Sequence, residues 1–283
     1  MSSSEIIKVD KLCKKYSAFE LKDVSFAVGK GKIVGFIGRN GAGKTTTIKS
    51  MLGFVHPDKG SVSFFGKEFS ENELELKQKI GYVSGGFGFY PNKKIKTISA
   101  VTSSFYENWN SSVYEEYMSK FKLDENKTPS QLSEGMKVKY SIVLALSHKA
   151  QVLILDEPTS GIDPVSRDEI LDIFLDLQEN GVTIFFSTHI TSDLEKCADE
   201  ILYIQNGRII SSGIMKSLVE SYKTIFLSKE QYELANKEYL IGAKRTKEGY
   251  EAIVKSENTD KVVGSVGSAD LETIMLHFEK EAE

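Results

Sequence analysis

The 283-residue chain has no stretch of 18 apolar residues, so no segment of it reads as a membrane span. Its longest apolar runs, Ile142–Leu146 and Val152–Leu155, have the length of core helices or strands. Cysteine is scarce. Cys13 and Cys197 are too few for a disulfide framework and read as reduced thiols that pack as small hydrophobes. Positive charge is not in excess either: 36 Lys and Arg stand against 40 Asp and Glu, a formal net charge of −4. No net field draws in a phosphate backbone, which argues against a polybasic nucleic-acid binder. Met1-Ser2-Ser3-Ser4-Glu5 carries neither a basic start nor an apolar h-region, so no secretory signal is expected. Repeats and low-complexity tracts are missing. What is there is ordinary globular composition, 40% hydrophobic and 27% charged, with 16 Phe and 12 Tyr to build a core. The expectation is a cytoplasmic globular protein of one or two domains.

Hydrophobic periodicity organises the chain. Ile6–Val9 and Leu21–Val28 alternate as half-buried strands, and Ile33–Ile37 is a short apolar run that suits a strand covered on both faces. A Gly-rich loop follows, then a helix over Thr45–Phe54 and a strand over Ser61–Phe65. From about Thr97 to Ala150 the period becomes helical: Val101, Phe105 and Trp109 recur at i+4, and Tyr114, Tyr117, Met118 and Phe121 at i+3 or i+4. Ser133 is placed to N-cap a helix running through Val138, Ile142 and Ala145. Strand Val152–Leu155, helix Pro164–Gln178, strand Val182–Ser187, helix Ser192–Ala198 and strand Ile201–Ile204 then alternate. Such alternation means a parallel sheet with helices on both faces. The block at about 86–148 interrupts it and reads as a helical subdomain. Residues 216–283, with strands at Thr224–Leu227 and Glu251–Val254 and a closing helix bearing Leu271, Ile274, Met275 and Phe278, read as a small α/β extension.

Two motifs carry chemistry. Gly38-Arg39-Asn40-Gly41-Ala42-Gly43-Lys44-Thr45 fits Gly-x4-Gly-Lys-[Ser/Thr] and sits between a buried strand and a helix. Glycines let the backbone wrap so that N–H groups point at phosphate oxygens. Lys44 adds a point charge for the β and γ phosphates, the Thr45 hydroxyl is a hard oxygen for Mg²⁺, and the helix aims its positive end at the same anion. The second motif is Val152-Leu153-Ile154-Leu155-Asp156-Glu157, an apolar strand ending in two acids. Acids at the carboxyl end of a parallel strand lie where ligands bind. Asp156 can reach the Mg²⁺ that Thr45 holds, and Glu157 can accept a proton from an attacking water. Taken singly, Leu132-Ser133-Glu134-Gly135-Met136 is a helix N-cap, and Tyr16 and His189 are ordinary packed residues. His56, His148 and His277 lack partners in sequence and receive no role.

In order along the chain these signals form a joint pattern. Tyr16, the phosphate loop, Leu132–Met136, Asp156-Glu157, Ser160-Gly161-Ile162-Asp163 and His189 together resemble the ATP-binding subunit of an ABC transporter over about residues 1–215. The extension and Ser268–Met275 resemble the ABC-2 exporter type, whose cassette is encoded apart from its permease. The resemblance implies an α/β fold: a P-loop NTPase core, an N-terminal antiparallel β subdomain, the helical subdomain and the C-terminal extension. It implies that Tyr16 stacks on adenine and that Gly38, Arg39, Asn40, Gly41, Ala42, Gly43, Lys44, Thr45 and Thr46 hold the phosphates of ATP. Thr45 and Asp156 would serve Mg²⁺, Glu157 would polarise the water, and His189 would contact the γ-phosphate and organise Glu157. Two cassettes would close head to tail over two ATP, with Ser133 and Gly135 facing the partner's γ-phosphate and Asp163 at the seam. A separate membrane permease follows as partner, with the chain attached through it to the inner face of the cell membrane. No nucleic acid is expected.

Three departures from the family pattern stand out. The signature is usually Leu-Ser-Gly-Gly-Gln, but here Glu134 and Met136 occupy its third and fifth positions. Glu134 must point away from an anionic ligand or weaken its binding. After Ile80-Gly81-Tyr82-Val83, where the family has a Gln, the chain has Ser84-Gly85-Gly86, so that role passes to no residue and a water is expected in its place. Lys93-Lys94-Ile95-Lys96 reads as a solvated face or as part of the permease interface. The competing readings are a soluble ABC-type regulator, opposed by the single cassette, and a weakly hydrolysing ATP-dependent switch.

Overall fold

The computed structural model describes residues 5–84 and 90–281. Two compact units are present, Met1–Ser212 and Gly213–Glu283. The first begins with two long antiparallel strands, β1 (Glu5–Lys15) and β2 (Glu20–Gly29). β3 (Ile33–Ile37) leads into helix α1 (Lys44–Met51), and β4 (Lys59–Phe64) and β5 (Lys67–Glu68) return to the first strands. Their sheet has the order β2-β1-β4-β5, antiparallel throughout. Next come α2 (Phe69–Lys77), β6 (Ile80–Ser84), and helices α3 (Ile95–Ser103), α4 (Ser111–Lys120) and α5 (Glu134–Ser147). β7 (Val152–Asp156), α6 (Pro164–Glu179), β8 (Thr183–Thr188), α7 (Thr191–Cys197), β9 (Glu200–Gln205) and β10 (Arg208–Ile214) complete a six-stranded sheet of order β10-β9-β3-β8-β7-β6. Its pairs β9-β3, β3-β8, β8-β7 and β7-β6 are parallel.

The reason for that sheet is legible in its strands. Every residue of β3, β7 and β8 is buried. A short run with no exposed side is stable only when helices cover both faces. Close packing leaves room for little else: a Cβ at Gly81 on β6 would come within 2.5 Å of Ala145 on α5 and 2.6 Å of Leu153. One apolar cluster continues from Phe36, Ile154 and Phe185 of the central sheet to Ile7, Leu12 and Phe64 of the antiparallel one. Phe26 bridges them, stacked on Phe185 at 5.5 Å.

Two expectations are corrected in detail. α3 stops at Ser103, so Val101, Phe105 and Trp109 form no continuous stripe; its buried face is Ile95, Ile98 and Ser99, and Phe105 is 71% exposed. The turn at Ser103–Tyr106 is pinned instead by Gln78, whose side-chain amide donates to the Phe105 carbonyl at 2.9 Å. His148 is also tied in. It C-caps α5, its ring stacks on Tyr106 at 3.8 Å, and Nδ1 lies 3.2 Å from the Gln78 carbonyl. α2, at Phe69–Lys77, has no counterpart in the periodicity reading; its buried residues are only Phe69 and Leu76.

The second unit contains α8 (Met215–Glu220), β11 (Tyr222–Leu227), α9 (Lys229–Leu234), β12 (Ile241–Arg245), β13 (Tyr250–Lys255), β14 (Ser265–Ser268) and α10 (Leu271–Glu281). Its sheet order is β12-β13-β11-β14. Leu271 and Ile274 of α10 are buried as the spacing predicts. His277 is buried with them, its Nδ1 2.7 Å from the Gly242 carbonyl, so it has a structural partner that lies 35 residues away.

Burial pushes the His148 pKa down from 6.5 to about 4. The folded value lies below the unfolded one, so the unfolded chain takes up the proton first as pH falls. The stabilising contribution is complete above pH 6.5 and is lost towards pH 4, about 3 kcal/mol over the interval. His148→Phe keeps the stack on Tyr106 and removes the titration. We expect it to flatten the acid limb of the melting-temperature profile between those pH values; an unchanged limb would show that His148 does not govern it.

Candidate functional site

Parallel pairing brings three strand ends to one edge. Ile37 of β3 lies opposite Thr188 of β8, and Asp156 of β7 lies opposite Ser187. The next residues, Gly38, Glu157 and His189, therefore emerge together at the carboxyl edge, where open α/β sheets bind ligands.

The loop after β3 wraps as its glycines require. Gly43 has φ 115, and a Cβ there would lie 2.6 Å from Leu21 and 2.8 Å from Phe19. Only glycine takes that conformation without strain. The Ala42 N–H donates to the Arg39 carbonyl at 3.1 Å, closing the turn, and the Ala42 carbonyl accepts from Gly207 at 3.0 Å. A cavity of about 340 Å³ opens over the loop, lined by Arg39, Asn40, Gly41, Gly43, Lys44, Thr45 and Thr46, with Phe19 and Glu157 as its other walls.

Lys44 is 5% exposed. Its ammonium donates to the Gly38 carbonyl at 2.6 Å and the Arg39 carbonyl at 3.3 Å, and it pairs with Glu157 Oε1 at 3.0 Å. The other Glu157 oxygen, Oε2, lies 2.8 Å from His189 Nδ1. A carboxylate only accepts, so that ring nitrogen carries the proton. Glu157 sits in the left-handed region at φ 51, an uncommon place for a non-glycine residue. Ser187 holds it there: its hydroxyl accepts from the Glu157 N–H at 2.9 Å and donates to Asp156 Oδ1 at 2.7 Å. The Thr45 hydroxyl donates to the same Asp156 oxygen at 3.2 Å.

Lys44, Thr45, Asp156, Glu157 and His189 thus form one connected set. Two further residues at the site escaped the sequence reading. Ser187 is a plain strand serine until the register places it beside Asp156 and Glu157. Phe19 is one aromatic among many until the loop closes beneath it. Tyr16, the aromatic singled out in sequence, is 45% exposed, with Lys14 Nζ 6.0 Å from its ring. It stands in the turn before Phe19, its N–H donating to the Phe19 carbonyl at 2.7 Å.

The signature residues lie elsewhere on the unit. Ser133 N-caps α5, its hydroxyl accepting from the Met136 N–H at 3.2 Å. Gly135 is buried, and a Cβ there would touch Ser166 of α6 at 3.0 Å. Glu134 turns to Lys137, one turn along its own helix, at 2.6 Å. Asp163 N-caps α6 through the Ser166 N–H at 3.0 Å, and that hydrogen bond holds its carboxyl below the usual carboxylate range. Ser84 closes β6; Gly85 and Gly86 lie outside the described residues.

The two aromatics, of which only Phe19 lines the cavity, can be separated by titration with a fluorescent ATP analogue. An aromatic beneath a base contributes roughly 1–3 kcal/mol, by analogy with single-stranded nucleic acid. Tyr16→Ala is expected to weaken binding on that scale, and Phe19→Ala to do so by reshaping the cavity wall. A curve that moves for Phe19→Ala alone would return Tyr16 to a surface role.

Comparison with known proteins agrees with this geometry. The ABC transporter family model matches residues 21–160. The bacitracin transport ATP-binding protein BcrA of Bacillus licheniformis is 35% identical over 211 residues, covering 73% of this chain and 69% of the relative. The ABC transporter ATP-binding protein YtrB of Bacillus subtilis is 30% identical over 203 residues, with 71% and 69% covered. A solved ATP-binding subunit of an ABC transporter superposes with a TM-score of 0.68 at 29% identity, over 75% of this chain and 91% of that one. With the loop, the paired acids and the histidine assembled on that fold, the chain belongs to the ABC transporter ATP-binding proteins.

Proposed function

We propose that the chain hydrolyses ATP to power a separate membrane permease, in the direction of export. The observation that supports this best is the division of one carboxylate. Glu157 gives Oε2 to His189 at 2.8 Å and Oε1 to Lys44 at 3.0 Å. The β and γ phosphates of an entering ATP compete with Glu157 for the Lys44 charge. Once Lys44 turns to them, Oε1 is free to take a proton from the attacking water, while His189 keeps the carboxylate oriented. His189 would contact the γ-phosphate through its second ring nitrogen, which must carry a proton as well to donate there. The loop N–H groups and the α1 N-terminus bind phosphate oxygens in ground and transition state alike.

Thr45 Oγ1 and Asp156 Oδ1, 3.2 Å apart, are the hard oxygens that Mg²⁺ prefers, and these two residues would hold it, with water and phosphate completing its shell. Bound there, it would neutralise charge on the phosphates.

The same reading covers the assembly. Residues 1–215 are the cassette, with a helical subdomain at about 86–148, and 216–283 are the extension. Two cassettes, identical or related, close head to tail over two ATP, Ser133 and Gly135 of each meeting the nucleotide on the other and Asp163 lying at the seam. Glu134 is compatible with this because Lys137 neutralises it. No helix of the described residues is long and apolar enough to cross a membrane. In this reading the permease is a separate chain, and the cassette sits against it on the inner face of the membrane. Lys93, Lys94 and Lys96 are exposed while Ile95 is buried, which leaves those cations available to the permease.

Glu157→Gln tests the mechanism. It removes the base and releases Lys44 from a competing charge. Phosphate release is expected to fall by about 10²–10⁴ while ATP binds more tightly. Size exclusion at saturating ATP and Mg²⁺ should then show a dimer. Turnover like the wild type would overturn the base assignment, and a monomer would overturn the head-to-tail closure. Lys44→Ala is expected to lose both nucleotide binding and turnover, because its charge acts on the ground state as well as the transition state; calorimetry with ATP reads the first loss independently of the second.

A further inference from the structure

A second ionic cluster lies behind the site. Asp193, in the first turn of α7, is fully buried. Its Oδ2 accepts from the Thr159 hydroxyl at 2.6 Å, and Thr159 is itself 1% exposed. Its Oδ1 lies 2.6 Å from Arg167 Nε of α6, and the same guanidinium donates to the Ser192 hydroxyl at 2.5 Å. Three segments therefore meet at one carboxylate. Thr159 is two residues past Glu157. Asp193 is four residues past His189. Arg167 is four residues past Asp163, on the helix whose Ser166 lies against Gly135.

Stability alone is a weak reason for this arrangement. A buried ion pair pays a desolvation cost that its attraction only partly returns, and apolar residues of the same volume often serve as well. What an apolar residue does not supply is direction. Hydrogen bonds to a carboxylate fix their partners within a few tenths of an ångström. Here the Thr159 hydrogen bond joins the loop after the candidate base to α7, the helix that follows the candidate histidine and carries Asp193 itself, and the Arg167 guanidinium of α6 pairs with the other oxygen. The backbone between them is short, and parts of it are pinned as well: the Ile190 N–H donates to the Thr188 hydroxyl at 3.0 Å, and the Ser160 N–H to the Glu157 carbonyl at 3.3 Å.

We propose that Asp193 is a positioning residue: held by Thr159 and Arg167, it sets the contact between His189 and Glu157 and acts on turnover through His189. This rests on the ATPase reading above. Asp193→Asn keeps the shape and the acceptor for Thr159 and removes the charge that orients Arg167. Thr159→Val removes a single hydroxyl.

The test is a double-mutant cycle on the full chain, reading single-turnover phosphate release at saturating ATP, together with KM for ATP and thermal melting. Asp193→Asn is expected to slow release at least tenfold with KM within twofold of the wild type. Placed on a His189→Ala background, the same substitution should change the rate less than twofold. Asp193→Glu should recover part of the rate, and Thr159→Val should slow release a few-fold, again only when His189 is present. Equal effects in both backgrounds would mean that Asp193 supports the fold and not the histidine, and would overturn the proposal. A wild-type rate for Asp193→Asn would overturn it too. Should Asp193→Asn melt below the assay temperature, Thr159→Val decides by the same criterion. If the wild-type chain releases no phosphate, the ATPase reading fails and this inference falls with it. If wild type turns over and His189→Ala is unimpaired, the ATPase reading stands and this inference is overturned.

Discussion

Glu157 shares its carboxylate between a buried ammonium and an imidazole, and the candidate site is arranged around that division. Lys44 is almost wholly removed from water. A buried ammonium is costly unless it is paired and hydrogen-bonded, and here two loop carbonyls and one carboxylate oxygen supply the partners. In the free protein the site keeps its cation compensated. Under the proposed function, the phosphates of an entering nucleotide would compete with Glu157 for that cation and take over its compensation.

The division needs a backbone that presents Glu157 outward. β7 ends at Asp156, and the next residue leaves the strand in a left-handed turn that Ser187 holds. That serine also binds Asp156, so one hydroxyl aims two neighbouring acids at different targets. Asp156 is drawn to Thr45 on α1, and Glu157 to Lys44 and His189. Parallel pairing supplies the rest, because it sets the ends of β3, β7 and β8 at one level. An antiparallel sheet would place alternate strand ends at opposite edges.

The helical layer follows a different logic. α5 reaches from Ser133 at its N-cap to His148 at its C-cap, so one helix joins the signature residues to the buried stack on Tyr106. Its Ala145 packs so closely on β6 that Gly81 is needed beneath it. The same helix starts against α6 at Ser166, which ties Gly135 to the segment carrying Asp163 and Arg167.

Local chemistry was enough to read the phosphate loop, the two acids after an apolar strand and the N-cap at Ser133. A Gly-Lys-Thr run between strand and helix has one geometry, and β3 and β7 advertise their double burial by having no polar residue before their ends. The alternation of strands and helices beyond Ala150 was equally plain. Where the sequence misled, in the stripe Val101–Phe105–Trp109, the helical period continued on paper past Ser103 while Gln78, from a distant segment, pinned the turn. His148 and His277 had no neighbours in sequence because their partners, Gln78, Tyr106 and Gly242, are between 35 and 70 residues away. Ser187, Phe19 and Asp193 belong with them. A serine in a strand, a phenylalanine in a turn and an aspartate in a helix are each unremarkable alone. Only the closing of β3, β7 and β8 on one another, with α6 and α7 behind them, brings Ser187 and Asp193 to their hydrogen-bond partners, and only the seating of the β1–β2 turn against the phosphate loop brings Phe19 beside Gly43.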